Sequence, residues 1–287
     1  MSRIEKAIEA ATAKRNQNKQ NHLATQPESA LEVSGIRTMP EVNTTGAAPR
    51  TGLAISASVN NPMLVTANGF DPPTAEQYRK LKSMIVRLSQ RGNFEKALMV
   101  TSSIPGEGKS ITSLNLAITM AQELDHSVLL VEADIRKPSL MHYLGLKSDR
   151  GLTDCVLDGL DISKVLVKTG IGSLSILPAG RQVDNPVELF SSKRMKALFD
   201  EIKTRYNDRY VIVDTTPLLP FAEPTYIANM VGAVIMVVRK GVTPTDKLKS
   251  SLEILKDHNL LGVVYNCVSQ VNSLHGYYGY YGYHGDR

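Results

Sequence analysis

With 287 residues, 42% of them hydrophobic and 21% charged, the chain carries enough apolar material for a sizeable globular core, which excludes a wholly disordered or fibrous protein. Its two cysteines, Cys155 and Cys267, and its six scattered histidines show no metal-ligand spacing, which argues against a disulfide scaffold or a zinc cage and for buried, reduced thiols. A net charge of +5 suits an anionic ligand or a membrane surface without choosing between them, and no run approaches the roughly 18 apolar residues of a membrane span.

In chain order, residues 1–15 are charged and lack the apolar centre of a signal peptide, so a cytoplasmic protein is expected. Ile4, Ala7, Ile8 and Ala11 fall at helical spacing and predict a short amphipathic N-terminal helix. Over 16–70 the composition shifts to Asn, Gln, Thr, Ala, Pro and Ser, and no aromatic residue occurs between Asn16 and Gly69. Such a stretch buries too little apolar surface to offset its ordering entropy, so a flexible linker is expected. Order resumes at 71. Thr74 and Gln77 read as a capping box that opens a helix running to about 91, with Tyr78, Leu81, Met84, Ile85 and Leu88 as its apolar stripe.

Beyond 96 the pattern alternates. Short β-branched runs predict strands over 96–102, 127–132, 174–178, 210–214, 232–239 and 260–266. Helical patterns fill 110–124, parts of 139–166 and 186–206, and 244–258. The fold class is therefore α/β, a mostly parallel sheet of P-loop NTPase type with helices on both faces over 71–267. Ligands of such sheets sit at the carboxyl ends of the strands.

Residues 103–110, Ser-Ile-Pro-Gly-Glu-Gly-Lys-Ser, meet GxxxxGK[ST] except at the first position, where Ser103 stands for Gly. The motif follows a strand and opens a helix, the context it needs. Gly106 and Gly108 let the backbone curl so that N–H groups, including those of Glu107 and Ile111, point inward at phosphate oxygens. The helix N-terminus adds its positive end. Lys109 would reach the β- and γ-phosphates of ATP, and the Ser110 hydroxyl would ligate Mg²⁺.

Two strands end in acids. Leu129-Leu130-Val131-Glu132-Ala133-Asp134 places Asp134 one helix and one strand after Lys109, at the same sheet edge. Tyr210-Val211-Ile212-Val213-Asp214 is an apolar strand ending in Asp, the form whose carboxylate holds Mg²⁺. Either acid alone is an ordinary turn cap; together with the phosphate loop, in this order, they mark a site. Asn266 ends the last strand, where it reads as a turn former and where similar proteins place a polar residue near the nucleotide base. Arg239-Lys240 faces phosphate or solvent, and Glu223-Pro224 follows the second acidic strand.

These segments resemble the bacterial tyrosine kinases, over residues 74–287 and in the type associated with exopolysaccharide loci. The resemblance implies that Asp134 is the base for a tyrosine hydroxyl and a metal contact, that Glu132 is a further metal contact, and that Asp214 is the Walker B acid. Glu132 departs from the family, which has Asp there. The family's ring-forming E-x-x-R-x-x-R stripe reads Glu76, Arg79 and Lys82 here, with Lys in place of the last Arg. A homo-oligomeric ring, a membrane-embedded polysaccharide co-polymerase as activator, a phosphotyrosine phosphatase and a position at the periphery of the inner membrane are further implications.

The tail over 268–287 has no core pattern. It carries Tyr277, Tyr278, Tyr280, Tyr281 and Tyr283 among glycines, suited to presenting phenols one at a time to a neighbour's site. Arg287 is the only cation interleaved with them, which argues against a nucleic-acid platform. The competing reading is an ATP-driven positioning ATPase; the extra lysine early in that group's phosphate loop is replaced here by Ile104 and Pro105.

Overall fold

The structure is a computed structural model that describes residues 61–123, 126–205 and 208–268. The expected N-terminal helix, most of the expected linker and the tyrosine cluster lie outside the described residues.

Seven strands form one sheet: β1 (Ala97–Ser102), β2 (Ser127–Glu132), β3 (Val167–Lys168), β4 (Leu174–Leu177), β5 (Arg209–Asp214), β6 (Ala233–Arg239) and β7 (Leu260–Asn266). Their order is β3-β4-β2-β5-β1-β6-β7. Every pairing is parallel except β3 with β4. All six residues of β1 are buried, which is why the central strands read as continuous apolar runs rather than as alternation. The sequence pattern missed β3 because two residues carry no period.

Side chains leave β1 alternately to two cores. Met99 joins Leu129, Val131 and Val213 on one face, and Leu98 and Val100 join Leu130 and Ile212 on the other. The second face is covered by α1 (Val65–Asn68), α2 (Pro72–Gln90), α3 (Lys109–Ala121) and α4 (Leu140–Tyr143). The first is covered by α5 (Leu152–Asp158), α6 (Pro186–Ser191), α7 (Lys193–Thr204) and α8 (Glu223–Ala228). A last helix, α9 (Thr245–Ile254), connects β6 to β7. Among the described residues no helix is long and apolar enough to cross a membrane.

Two expectations change at the start of the domain. The linker does not run to 70, because the segment around Leu64 and Thr66 is held on α3. Leu64 is 0% exposed, a burial worth about 2 kcal/mol. Asn115 of α3 bonds this segment through its side chain, accepting from Thr66 N–H at 3.1 Å and donating to the Met63 carbonyl at 2.9 Å. One buried leucine does not alter the average composition of a long polar stretch, and the segment's partner Asn115 lies far along the chain. Secondly, α2 starts earlier than Thr74. Asp71 caps it, accepting from Thr74 N–H at 3.2 Å, and Pro72 and Pro73 occupy the first turn, where no N–H is needed. Ile85 is buried as its spacing predicts, but Met84 is 61% exposed and lies off the packed stripe.

Candidate active site

The loop from β1 to α3 has the backbone its glycines allow. Gly106 and Gly108 have φ of 84° and 91°, the left-handed region that disfavours a Cβ. Gly108 caps α3 and offers no side-chain bond to its first turn, leaving those N–H groups for a ligand. Ser103 is fully buried and stays outside the left-handed region, so Ser serves there as well as Gly. The two glycines differ in surroundings. A Cβ on Gly106 meets nothing within 4 Å, whereas one on Gly108 would lie 2.2 Å from Asn266 Nδ2. Gly108→Ala is therefore expected to weaken ADP binding about tenfold or more, and Gly106→Ala to cost only the backbone strain of about 1 kcal/mol. Calorimetric titration of both variants with ADP and Mg²⁺ checks the contrast.

Lys109 Nζ lies 2.6 Å from Asp134 Oδ2 and 3.2 Å from Ser110 Oγ. Asp134 Oδ1 accepts from the backbone N–H of Lys137 at 3.1 Å. Asp214 stands on β5 beside β1, where it is paired in register with Val100, and its Oδ1 accepts from Ser113 Oγ at 3.1 Å. Its Oδ2 is buried without a partner. Burial pushes the Asp214 carboxyl up to about 6, against the pull of the Lys109 ammonium. Burial alone would lower Lys109, but the Asp214 and Asp134 carboxylates outweigh it and hold the ammonium above its ordinary value. One cation thus sits between two carboxylates from neighbouring strand ends, at the mouth of an amide-lined loop. The unpartnered oxygen of Asp214 and the Ser110 hydroxyl are oxygen donors that fit a hard divalent cation, and the Asp134 carboxylate joins them only when Lys109 turns away from it.

One expected site residue is placed differently, and another has fixed partners. Glu132 was expected as a metal contact. Its carboxylate instead accepts from the backbone N–H groups of Ser139, Leu140 at 2.6 Å and Ala179 at 3.4 Å. Both oxygens are engaged, so Glu132 ties the chain after β2 to the end of β4, a task for which its extra methylene gives reach. Burial raises its pKa, and these amides oppose the rise. Asn266 was expected near the nucleotide base or as a turn former. Its Nδ2 donates to the Glu107 carbonyl at 2.9 Å, and its Oδ1 accepts from Cys267 N–H at 2.8 Å. The carboxamide grips the phosphate loop itself. Ile111 contributes its backbone to the first turn of α3, while its side chain packs on the core.

A family model described as an AAA domain (AAA_31) matches residues 96–242, from β1 through the turn after β6. The tyrosine-protein kinase YwqD of Bacillus subtilis is 36% identical over 195 residues, 67% of this chain and 80% of that protein. The chain belongs to the bacterial tyrosine-protein kinase family. Two solved structures share its fold. The kinase domain of the Escherichia coli tyrosine kinase ETK superposes with a TM-score of 0.67 at 27% identity, covering 75% of this chain and 83% of that one. The chimerical protein CapA2B2 gives 0.67 at 28%, covering 72% and 91%.

The three residues of the expected ring stripe lie on α2. Arg79 pairs with Glu76 along the exposed face of α2 at 2.8 Å. Lys82 instead turns to Glu123, just past α3, at 2.6 Å. Lys82 is thereby spent within the chain, and only Glu76 and Arg79 remain on the outer face. Sequence patterning also left Arg136 unassigned. Its guanidinium bonds buried Glu223 Oε1 at 2.7 Å and lies 4.7 Å from the centre of the Phe221 ring, joining the loops that carry Asp134 and Asp214.

Proposed function

We propose that the chain is an ATP- and Mg²⁺-dependent protein-tyrosine autokinase that phosphorylates C-terminal tyrosines of neighbouring subunits. The observation that carries this reading is Lys109 held between Asp134 and Asp214 over the amide-lined loop. In the free protein Asp134 is tied to Lys109. Bound β- and γ-phosphates compete for that ammonium, and a Lys109 turned toward them releases the Asp134 carboxylate to the acceptor phenol. The phenol oxygen then attacks the γ-phosphorus, the bond to the β–γ bridging oxygen breaks, the phenolic proton passes to Asp134, and ADP leaves. Mg²⁺, held through Ser110 and the Asp214 and Asp134 carboxylates directly or through water, would neutralise charge on the β- and γ-phosphates.

Tyr277, Tyr278, Tyr280, Tyr281 and Tyr283 are the proposed acceptors. Glu76 and Arg79 are proposed to contact the next subunit of a ring. By its family type, a membrane-embedded polysaccharide co-polymerase is the proposed activator, holding the kinase at the periphery of the inner membrane. Control of exopolysaccharide synthesis or export, reversed by a phosphotyrosine phosphatase, follows from that setting.

The test mixes two proteins. Full-length Lys109→Met supplies tails, and wild type ending at residue 268 supplies active sites. With labelled ATP and Mg²⁺, label is expected on tail tyrosines of the Lys109→Met chain. An unlabelled tail, with nucleotide still hydrolysed, would leave a positioning-type ATPase in place of the kinase. Adding the activator's cytoplasmic segment is expected to raise the rate.

A further inference from the structure

Glu107 presents a puzzle of charge. It is an acidic residue, 0% exposed, inside a loop built to receive anions. Its carboxylate is turned away from the loop's mouth and held there. Oε2 accepts from Ile104 N–H at 2.8 Å, and Oε1 accepts from the hydroxyl of Thr243. Thr243 lies in the turn between β6 and α9. Its hydroxyl oxygen is itself fixed by the backbone N–H of Arg239 at 2.9 Å. From the same turn the Arg239 guanidinium donates to the Gly106 carbonyl at 3.0 Å. Asn266 of β7 holds the Glu107 carbonyl. The Gly106 carbonyl, the Glu107 side chain and the Glu107 carbonyl are thus each gripped from the ends of β6 and β7, elements that carry none of the acids described above.

We infer that Thr243 and Arg239 are positioning residues for the phosphate loop, setting nucleotide affinity by keeping the Glu107 carboxylate and the Gly106 carbonyl turned away from the phosphates. The inference rests on the nucleotide reading of this loop. Two groups would otherwise repel a bound polyphosphate: a carboxylate and a carbonyl dipole. Tethering both outward leaves N–H groups facing in. Loss of the Thr243 hydroxyl leaves a buried carboxylate oxygen without its donor, and the side chain then finds a partner elsewhere or draws water in.

The experiment is calorimetric titration of the full chain with ADP and Mg²⁺, with thermal unfolding of each nucleotide-free variant alongside. Thr243→Val is expected to weaken ADP binding about tenfold and Thr243→Ser by about twofold at most, the scale on which supporting partners act. Arg239→Ala changes an exposed side chain and is expected to weaken ADP severalfold, with an unfolding midpoint within about 2 °C of wild type. Wild-type affinity in Thr243→Val, equal losses in the Val and Ser variants, or wild-type affinity in Arg239→Ala would overturn the inference. Should Thr243→Val fail to fold, Arg239→Ala decides alone. A wild-type chain that itself fails to bind ADP overturns the nucleotide site; a binding wild type with insensitive variants overturns only the role of this turn.

Discussion

Lys109→Met will lower the initial rate of phosphotyrosine formation by about a thousandfold or more, while ADP still binds. The transferring phosphoryl group carries charge that a fixed cation stabilises, and removing such a group typically costs about 4 kcal/mol of barrier. Amide donors of the loop and the α3 N-terminus remain, so ground-state binding suffers less than transfer. Lys109→Arg is not expected to restore the rate, because a planar fork cannot fill the place of a compact ammonium 2.6 Å from Asp134 Oδ2. Stability should fall as well. The Asp134 and Asp214 side chains are both buried, and Lys109 is the cation between them. Removing one partner from a buried cluster costs about 3–5 kcal/mol. A quenched-flow or gel assay of tail labelling reads the first effect, and thermal unfolding of the nucleotide-free variant reads the second. Retention of a tenth of the wild-type rate would sink the assignment of Lys109.

The sequence made some of this site plain and hid the rest, for reasons of contact distance. The phosphate loop is legible because its requirements are local: two positions of positive φ, a lysine and a hydroxyl in eight consecutive residues. Asp134 and Asp214 are legible because strands buried on both faces announce themselves as apolar runs, and the residue after such a run must lie at the sheet edge. Glu132 ends the same kind of run, yet its partners are amides seven, eight and 47 residues further on, set by how the chain after β2 folds back. Thr243 meets Glu107 across 136 residues, and nothing in its own neighbourhood distinguishes it from any turn threonine. Lys82 sits at the spacing of a ring stripe, but periodicity does not tell which helix edge faces Glu123. Helical period fixed the side of α2 that carries Ile85; only packing against α3 and the preceding segment decided that Met84 stays outside it.

Asp214→Asn is expected to abolish phosphoryl transfer and yet, in the metal- and nucleotide-free protein, to raise stability at pH 7.5. The reason is the cost of the buried charge. Burial holds the Asp214 carboxyl up at about 6, well above the ordinary carboxylate range. A displacement of that size disfavours the buried charge by about 3 kcal/mol. Because the folded value is raised, the folded state holds the proton more tightly than the unfolded chain does. This group's contribution to stability is therefore fully present below about 4, declines as pH rises to about 6, and stays at its least favourable value above. Asn carries no charge to desolvate, so its advantage grows over the same window. The amide replaces an oxygen that has no partner, leaving an N–H group unsatisfied at a cost of about 1 kcal/mol. A net gain of about 2 kcal/mol at pH 7.5 remains, several degrees in the unfolding midpoint for a domain of this size. At pH 4 the gain should be gone, and the unsatisfied N–H should leave the variant slightly less stable than wild type. Magnesium with ADP reverses the order, because the wild-type carboxylate then has a cation to face and the amide does not. Thermal unfolding of both proteins at pH 4, 5.5 and 7.5, with and without Mg·ADP, reads all of these effects. A variant less stable than wild type at pH 7.5 without ligand, or one whose advantage is greatest at pH 4, would show that Asp214 is held by favourable contacts rather than strained by its burial for the metal.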